Sequence, residues 1–323
     1  MYKNKRISLV IPAYNEERLI KPTLENVPAE IDRVYVINDA STDNMTHVVK
    51  ACIQNDPRIV LLNHRKNFGV GAGIVTGYLK SAKEGYDIAV VIGGDNQMDL
   101  KDLPNFLEPL IKGEADYTKG NRFLYAGGST ESLAKPNVMP LQRLLGNSLL
   151  SLMVKMSSGY YRIFDTQDGY TAITKEAINK INWSDVYKGY GYPGDFLIVF
   201  NAYNLKVKDI PRRAIYIKGE RQSQIKVFKY MRKVFPLYLK KFLWRLWNKY
   251  VLRDFNPLVF FYFSSFILLP LGLILGARVV YFSIIATAPT NETILSALFF
   301  IMGMLFLLFA MLFDMQNNEK LQP

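Results

Sequence analysis

Cysteine is almost absent: Cys52 stands alone in 323 residues. That excludes an internal disulfide and any cysteine-rich metal site, and Cys52 reads as a small buried hydrophobe rather than a nucleophile. Low-complexity tracts and repeats with periods of roughly 20–50 residues are also missing, which excludes solenoids and propellers. No long apolar run occurs before Asn256. The stretch Ile7–Ile11, behind the basic residues Met1–Arg6, is far too short for the core of a signal peptide, so the N-terminal part is expected in the cytosol. Acids are scarce between Lys206 and Arg253, where basic residues from Arg212 and Arg213 to Lys249 and Arg253 crowd together. This stretch carries much of the formal net charge of +12 and runs directly into apolar segments. Anionic lipid headgroups, not nucleic acid, are its expected partner.

What the second half does have is two apolar runs, Leu258–Gly276 and Ile294–Phe313. Each is about the twenty residues a helix needs to cross the hydrocarbon core, and Pro270 is tolerable there as a kink. The connector, with Arg278 and Thr287–Thr293, is short and poor in Lys and Arg. The positive-inside rule then puts the large N-terminal part and both termini in the cytoplasm, as an integral protein of the cell membrane. Gln224–Arg253 mixes basic heads with Phe228, Tyr230, Phe235, Trp244 and Trp247, a composition suited to amphipathic helices in the membrane interface, broken at Pro236. The expected organisation is a catalytic domain over 1–222, juxtamembrane helices over 223–256, two spans over 257–314 and a tail over 315–323. The spans have a small glycine-containing face suited to packing against a second subunit, so a homo-oligomer is a candidate partner state.

Residues 1 to about 220 alternate β-rich and helical stretches. Strands are expected at Ile7–Ile11, Val34–Ile37, Ile59–Leu62 and Ile88–Ile92, with helices near Arg18–Val27, Thr46–Asn55 and Gly71–Glu84. This rhythm argues an α/β fold with a mostly parallel sheet, whose ligands bind beyond the carboxyl ends of the strands. After the first strand, Pro12 ends the strand, Tyr14 is placed to stack on a base, and Glu16 to accept hydrogen bonds. After the second, Asp39 is placed for a base or ribose, while Asp43 caps the next helix. After the third, Asn67-Phe68-Gly69-Val70-Gly71-Ala72-Gly73 opens a helix, where Gly71 and its neighbours permit close backbone approach to a phosphate. The Lys-Ser/Thr ending of a P-loop is missing. After the fourth comes Gly93-Gly94-Asp95-Asn96-Gln97-Met98-Asp99, an acid at a strand end suited to hold Mg²⁺ or Mn²⁺ against a pyrophosphate.

In this order and spacing the motifs resemble family 2 glycosyltransferases of the GT-A (Rossmann-like) fold, in particular the dolichyl-phosphate mannose synthase and polyprenyl-phosphate glycosyltransferase group. The resemblance covers roughly residues 5–235. It continues through Lys119-Gly120-Asn121-Arg122-Phe123, Arg143, Asp165-Thr166-Gln167-Asp168-Gly169-Tyr170, Gly191-Tyr192-Pro193-Gly194-Asp195 and Gly219-Glu220-Arg221-Gln222-Ser223. By that resemblance Pro12, Tyr14, Glu16, Asp39 and Gly71 line the nucleotide-sugar pocket, and Asp95 and Gln97 hold the metal and diphosphate. Arg122, Arg143, Gln167 and Ser223 face the acceptor, and Asp95, Arg122 and Asp168 form the catalytic group. Two departures matter: the family commonly has an acid at the position of Gly93, and serine at that of Asp168.

The implied reaction moves a sugar from a nucleotide-sugar donor to a lipid-linked acceptor. A polyprenyl phosphate acceptor is already ionised and needs no strong base; a hydroxyl acceptor needs one, with Asp165, Asp168 or Asp195 as candidates. A processive polysaccharide synthase is disfavoured, because Trp244-Arg245-Leu246-Trp247 lacks the Gln-x-x-Arg-Trp element and two spans are too few for a channel. A nucleotidyltransferase would need a Gly-x-Gly-Thr-Arg type loop after the first strand. A catalytically inactive nucleotide-sugar-binding membrane scaffold has Gly93 as its only support.

Overall fold

The computed structural model describes residues 1–122, 141–212, 227–285 and 290–323. It divides into two compact units, Met1–Phe242 with Lys320–Pro323, and Leu243–Glu319. In the first, seven strands form one sheet in the order β3-β2-β1-β4-β6-β5-β7. They are β1 Ile7–Ala13, β2 Arg33–Asn38, β3 Ile59–Asn63, β4 Ile88–Val91, β5 Tyr117–Asn121, β6 Thr171–Thr174 and β7 Val207–Pro211. The helices of this unit are α1 Ile20–Glu25, α2 Met45–Asn55, α3 Val70–Lys83, α4 Leu103–Ile111, α5 Leu141–Ser158, α6 Lys175–Lys180 and α7 Tyr192–Ala202, followed by α8 Val227–Trp247, which runs across the division.

β1 pairs in parallel with both β2 and β4, so that Leu9 faces Val34 on one side and Val90 on the other. β6 alone runs antiparallel, against β4 and β5. Strand order reverses at β1 and β4, and the crevice beyond their carboxyl ends is where ligands of such sheets bind. Because β6 is reversed, the residues preceding it lie at the same edge as those following β4, β5 and β7. The central strands are apolar on both faces because helices cover both. Ile7, Leu9, Val34, Val36 and Val90 are fully buried in one core with Phe106 and Leu107. α3 lies close to the sheet because Gly77 has no side chain; a β-carbon there would sit 2.2 Å from Val10 Cγ1.

Two prolines do not act as the local rule suggests. β1 continues through Pro12 to Ala13, paired with Ile37 and Asn38. Ile92 N–H donates to Val10 O at 3.2 Å and Asp39 N–H to Ala13 O at 3.0 Å, so backbone groups alternate sides and Pro12 faces β4. Pairing with β4 has ended at Val10, so the missing N–H of Pro12 has no partner to lose. Likewise α8 is not broken at Pro236 but runs through it. Val234, Tyr238 and Phe242 bury one face of this helix, and the Tyr238 hydroxyl donates to Gly191 O at 3.2 Å. That burial outweighs the ~3 kcal/mol that an interior proline costs.

The second unit contains α9 Leu258–Ile285 and α10 Thr290–Asn318, both long and apolar enough to cross a membrane. They extend beyond the apolar runs, taking in Arg278 and Asn291–Thr293, which were expected in the connector. Arg278 Nε meets Glu292 Oε2 at 3.1 Å, so charged residues pair across the hairpin end instead of interrupting it. The small residues pack inside the hairpin: a β-carbon at Gly272 would lie 2.6 Å from Phe300 N, and one at Gly303 2.8 Å from Leu269 N. At the other end Asp314, fully buried, takes Arg245 at 3.1 and 2.6 Å and the Tyr250 hydroxyl at 2.6 Å. Lys249 Nζ reaches Asn318 Oδ1 at 2.6 Å.

Candidate active site

Two exit loops are stapled together where β1 and β2 end. Asn15, at φ 57°, accepts Thr42 N–H at 2.8 Å on its side-chain oxygen, and its own N–H donates to Ser41 Oγ at 3.0 Å. The neighbouring Tyr14 ring stays 45 % exposed, free to stack. Glu16 closes the first turn of α1 with its carbonyl, which accepts from Leu19 and Ile20 N–H. Asp39, almost fully buried, spends its carboxylate on protein: Oδ1 takes His64 Nδ1 at 2.7 Å and Phe68 N–H at 2.9 Å, and Oδ2 takes Gly69 N–H at 2.7 Å. His64 Nε2 in turn lies 3.0 Å from Thr76 Oγ1. Asp39 thus shapes the glycine-rich turn. Gly69 has φ +94°, and β-carbons at Gly69 and Gly71 would lie 2.6 and 2.9 Å from the Lys188 carbonyl. These glycines admit the 188–192 backbone against the start of α3, which is a packing use of the smallness expected to serve a phosphate.

The β4 exit turn carries Asp95. Its Oδ1 accepts Gln97 N–H at 3.3 Å and occupies the space beside Gly93, where a β-carbon would come within 2.8 Å of it. Burial pushes this carboxyl above the ordinary range, opposed by the backbone N–H groups and by the nearby Arg212 charge. Asp95 has no ion pair among the described residues. No group of three or more His, Cys, Asp or Glu side chains among the described residues gathers into a metal site. One desolvated carboxylate, with Gln97 two residues on, nevertheless fits a hard divalent ion, which takes one or two carboxylates and completes its shell with water and substrate phosphate.

Beyond β5, β6 and β7 the strand ends bring together a buried ionic cluster. Arg122 grips Asp165 with Nε at 2.6 Å and Nη2 at 2.9 Å, and its Nε lies 3.3 Å from Asp168. Asp168 Oδ2 takes Arg212 Nε at 2.7 Å, its Oδ1 takes Tyr170 N–H at 2.8 Å, and its carbonyl accepts from Lys119 Nζ. Burial pushes the Asp168 carboxyl up, but Arg212, Arg122 and Lys119 outweigh it and hold the group below the usual range. Lys119 is itself lowered by burial. Gln167 makes a local bond to Thr166 Oγ1 at 3.1 Å. Asp195, fully buried, accepts Tyr187 N–H at 2.6 Å and lies 3.6 Å from Lys241; burial pushes it up to about 6.

Pro12, Asp39, Asp95, Gln97, Arg122, Gln167 and Asp168 therefore share one edge of the sheet with Tyr14 and Glu16. Arg143 lies in α5, but its side chain is outside the described residues, as is all of Gly219–Ser223. Sequence reasoning missed His64 and Arg212. His64 is the first residue after β3, where the strand-end rule that picked out the other residues was a usable signal; Arg212 follows β7, a strand not expected from the sequence, so that rule did not reach it.

The sheet carries an acid-bearing turn at its switch point, and the glycosyl transferase family 2 model matches residues 8–181, more than half of the chain. The chain belongs to that family and is a glycosyltransferase. Among its relatives is the UDP-N-acetylglucosamine–dolichyl-phosphate N-acetylglucosaminyltransferase of Methanococcus voltae, 29% identical over 226 residues, covering 66% of this chain and 87% of that one. The undecaprenyl-phosphate mannosyltransferase of Micrococcus luteus is 24% identical over 64% of this chain and 82% of that one. Among solved structures, Mycobacterium tuberculosis glucosyl-3-phosphoglycerate synthase in complex with Mn²⁺, UDP and phosphoglyceric acid superposes with a TM-score of 0.53 at 16% identity. It covers 74% of this chain and 79% of that one, a likeness of fold.

Proposed function

We propose that the protein transfers a sugar from a nucleotide-sugar donor to a polyprenyl phosphate at the cytoplasmic face of a membrane, anchored by α9 and α10. The observation that carries the choice of acceptor is the state of the three carboxylates that were candidates for a general base. Asp165, Asp168 and Asp195 are all fully buried, the first two against Arg122 and Arg212 and the third beside Lys241. A hydroxyl acceptor needs a base that can take its proton, whereas a lipid phosphate arrives ionised. The relatives named for dolichyl and undecaprenyl phosphate, and the two membrane-length helices, point the same way.

Asp95 and Gln97 are the residues to hold a divalent cation, Mg²⁺ or Mn²⁺. Such an ion supplies charge stabilisation for the departing nucleoside diphosphate. Tyr14 offers its exposed ring to the base. Arg122, fixed by its two bonds to Asp165, and Arg143 are the residues assigned to orient the acceptor phosphate, for which a planar guanidinium is well matched. The basic stretch before Asn256 holds this machinery at an anionic leaflet, with both termini on the cytoplasmic side.

The test is transfer of radiolabelled sugar from a panel of nucleotide sugars to short polyprenyl phosphate in detergent, with product extracted into organic solvent. Wild type should label the lipid in a Mn²⁺- or Mg²⁺-dependent way and Asp95→Asn should not. Labelling of a free polyprenol as efficiently as its phosphate would overturn the assignment.

A further inference from the structure

Three observations converge on the pair Arg212–Asp168. Arg212 is 4 % exposed and lies directly after the edge strand β7. Its Nε meets Asp168 Oδ2 at 2.7 Å, and its Nη1 donates to the Gln97 carbonyl at 3.4 Å. The guanidinium therefore links the residues before β6 to the turn after β4. Glycine at position 120 makes the room: a β-carbon there would lie 2.8 Å from Asp168 Oδ1 and 2.9 Å from Arg212 Cδ. The Asp95 turn lacks the acid two residues before Asp95, because position 93 is glycine, and Asn96 stands at φ 54°.

We propose that Arg212, locked by Asp168, is a positioning residue that holds the Asp95–Gln97 turn in the conformation that receives the divalent cation. The proposal rests on the reading of Asp95 as the metal-holding carboxylate. Arg212 contributes no ligand itself. Its planar fork fits the work because two different nitrogens, Nε and Nη1, reach two fixed acceptors in a rigid geometry, whereas the donors of an ammonium group all sit on one nitrogen. A single carboxylate must also be held more firmly than one member of a pair, since a misplaced ligand has no neighbour to compensate for it.

The test measures Mn²⁺ binding to the detergent-solubilised full chain, by loss of the free Mn²⁺ electron paramagnetic resonance signal, alongside thermal unfolding. Arg212→Lys and Asp168→Ser should each weaken Mn²⁺ binding about tenfold, on the scale of one hydrogen bond to a charged group. The double variant should be little worse than either single one, because both remove the same brace. Gly120→Ala, which keeps every charge and displaces the pair, should weaken binding in the same direction. Variants that unfold earlier but bind Mn²⁺ as wild type does, while Asp95→Asn loses binding, would overturn the brace and leave the metal reading intact. Asp95→Asn binding as tightly as wild type would overturn the metal reading itself, and the brace with it.

Discussion

Beside Gly93 the Asp95 carboxylate occupies the volume that a side chain would need, with 2.8 Å between its Oδ1 and a β-carbon built on the glycine. An acid restored at that position would push Asp95 aside and set two carboxylates together in a desolvated turn. Without metal that is like-charge repulsion; with metal it is a second ligand. Gly93→Asp should therefore unfold at a lower temperature than wild type in chelator and show a larger Mn²⁺-induced rise in Tm. Equal rises in the two proteins would mean that Asp95 does not face the ion. Asp195 allows a pH argument at the same scale. Burial raises its folded pKa to about 6, above the ordinary carboxylate value of 3.8, so between those values the folded state holds a proton that the unfolded state has released. Stability from this group falls as pH rises across that window and is lost above about 6. Asp195→Asn keeps an acceptor for Tyr187 N–H and does not titrate. Its Tm relative to wild type should rise between about pH 4.5 and pH 7, measured on the same preparation in matched buffers. A difference that stays flat with pH would place the titration elsewhere.

Elements show where local signals suffice. The first four strands were legible because each is an apolar run ended by turn residues, and both membrane-length helices because nothing charged interrupts them for about twenty residues. β5 and β6 were not. Tyr117–Asn121 reads Tyr-Thr-Lys-Gly-Asn, and its Thr118 and Lys119 are buried only because a hydrogen bond to Phe106 O and the Asp168 cluster await them. Thr171–Thr174 is four residues long and antiparallel, a length at which periodicity carries little information. Pro12 and Pro236 were misread for reasons that both lie in tertiary contacts: pairing with β4 has ended where the N–H of Pro12 would point, and the buried face of α8 outweighs the helical bond that Pro236 denies it. The same holds at the site. Asp95 and Arg122 follow from strand-end placement, whereas the occupation of Asp39 by Phe68, Gly69 and His64 depends on how distant loops meet. For the membrane hairpin, the glycines give a sharp expectation. Gly303→Leu places side-chain carbon against the Leu269 backbone, which cannot yield as a flexible side-chain tip would. A cysteine pair made by Gly276→Cys and Ser296→Cys, in a Cys52→Ser background, should crosslink readily in otherwise wild-type protein and poorly once Gly303→Leu is added. Undiminished crosslinking would show that the helices do not depend on this close approach.

At the scale of the whole molecule, the proposed function calls for two forces that bind the chain to a membrane, and they separate by their response to salt. The apolar helices contribute through burial of hydrocarbon surface, which salt does not screen. On the proposed function the basic stretch from Lys206 to Arg253 adds attraction to anionic headgroups, and screening shortens from about 10 Å at 0.1 M salt to about 3 Å at 1 M. A chain ending at Asn256 keeps the second force and loses the first. It also loses Gln322, whose side-chain carbonyl accepts Arg162 N–H at 2.6 Å within the first unit, so some loss of thermal stability should accompany truncation. Co-sedimentation with vesicles distinguishes the forces. The truncated chain should pellet with phosphatidylserine-containing vesicles at about 0.1 M salt, leave them at about 1 M, and ignore neutral vesicles throughout. The full chain, reconstituted, should stay with both vesicle types at both salt concentrations. Truncated protein that remains on neutral vesicles at high salt would mean that the aromatic residues of α8 insert deeply enough to anchor the enzyme, and that α9 and α10 serve a purpose other than attachment.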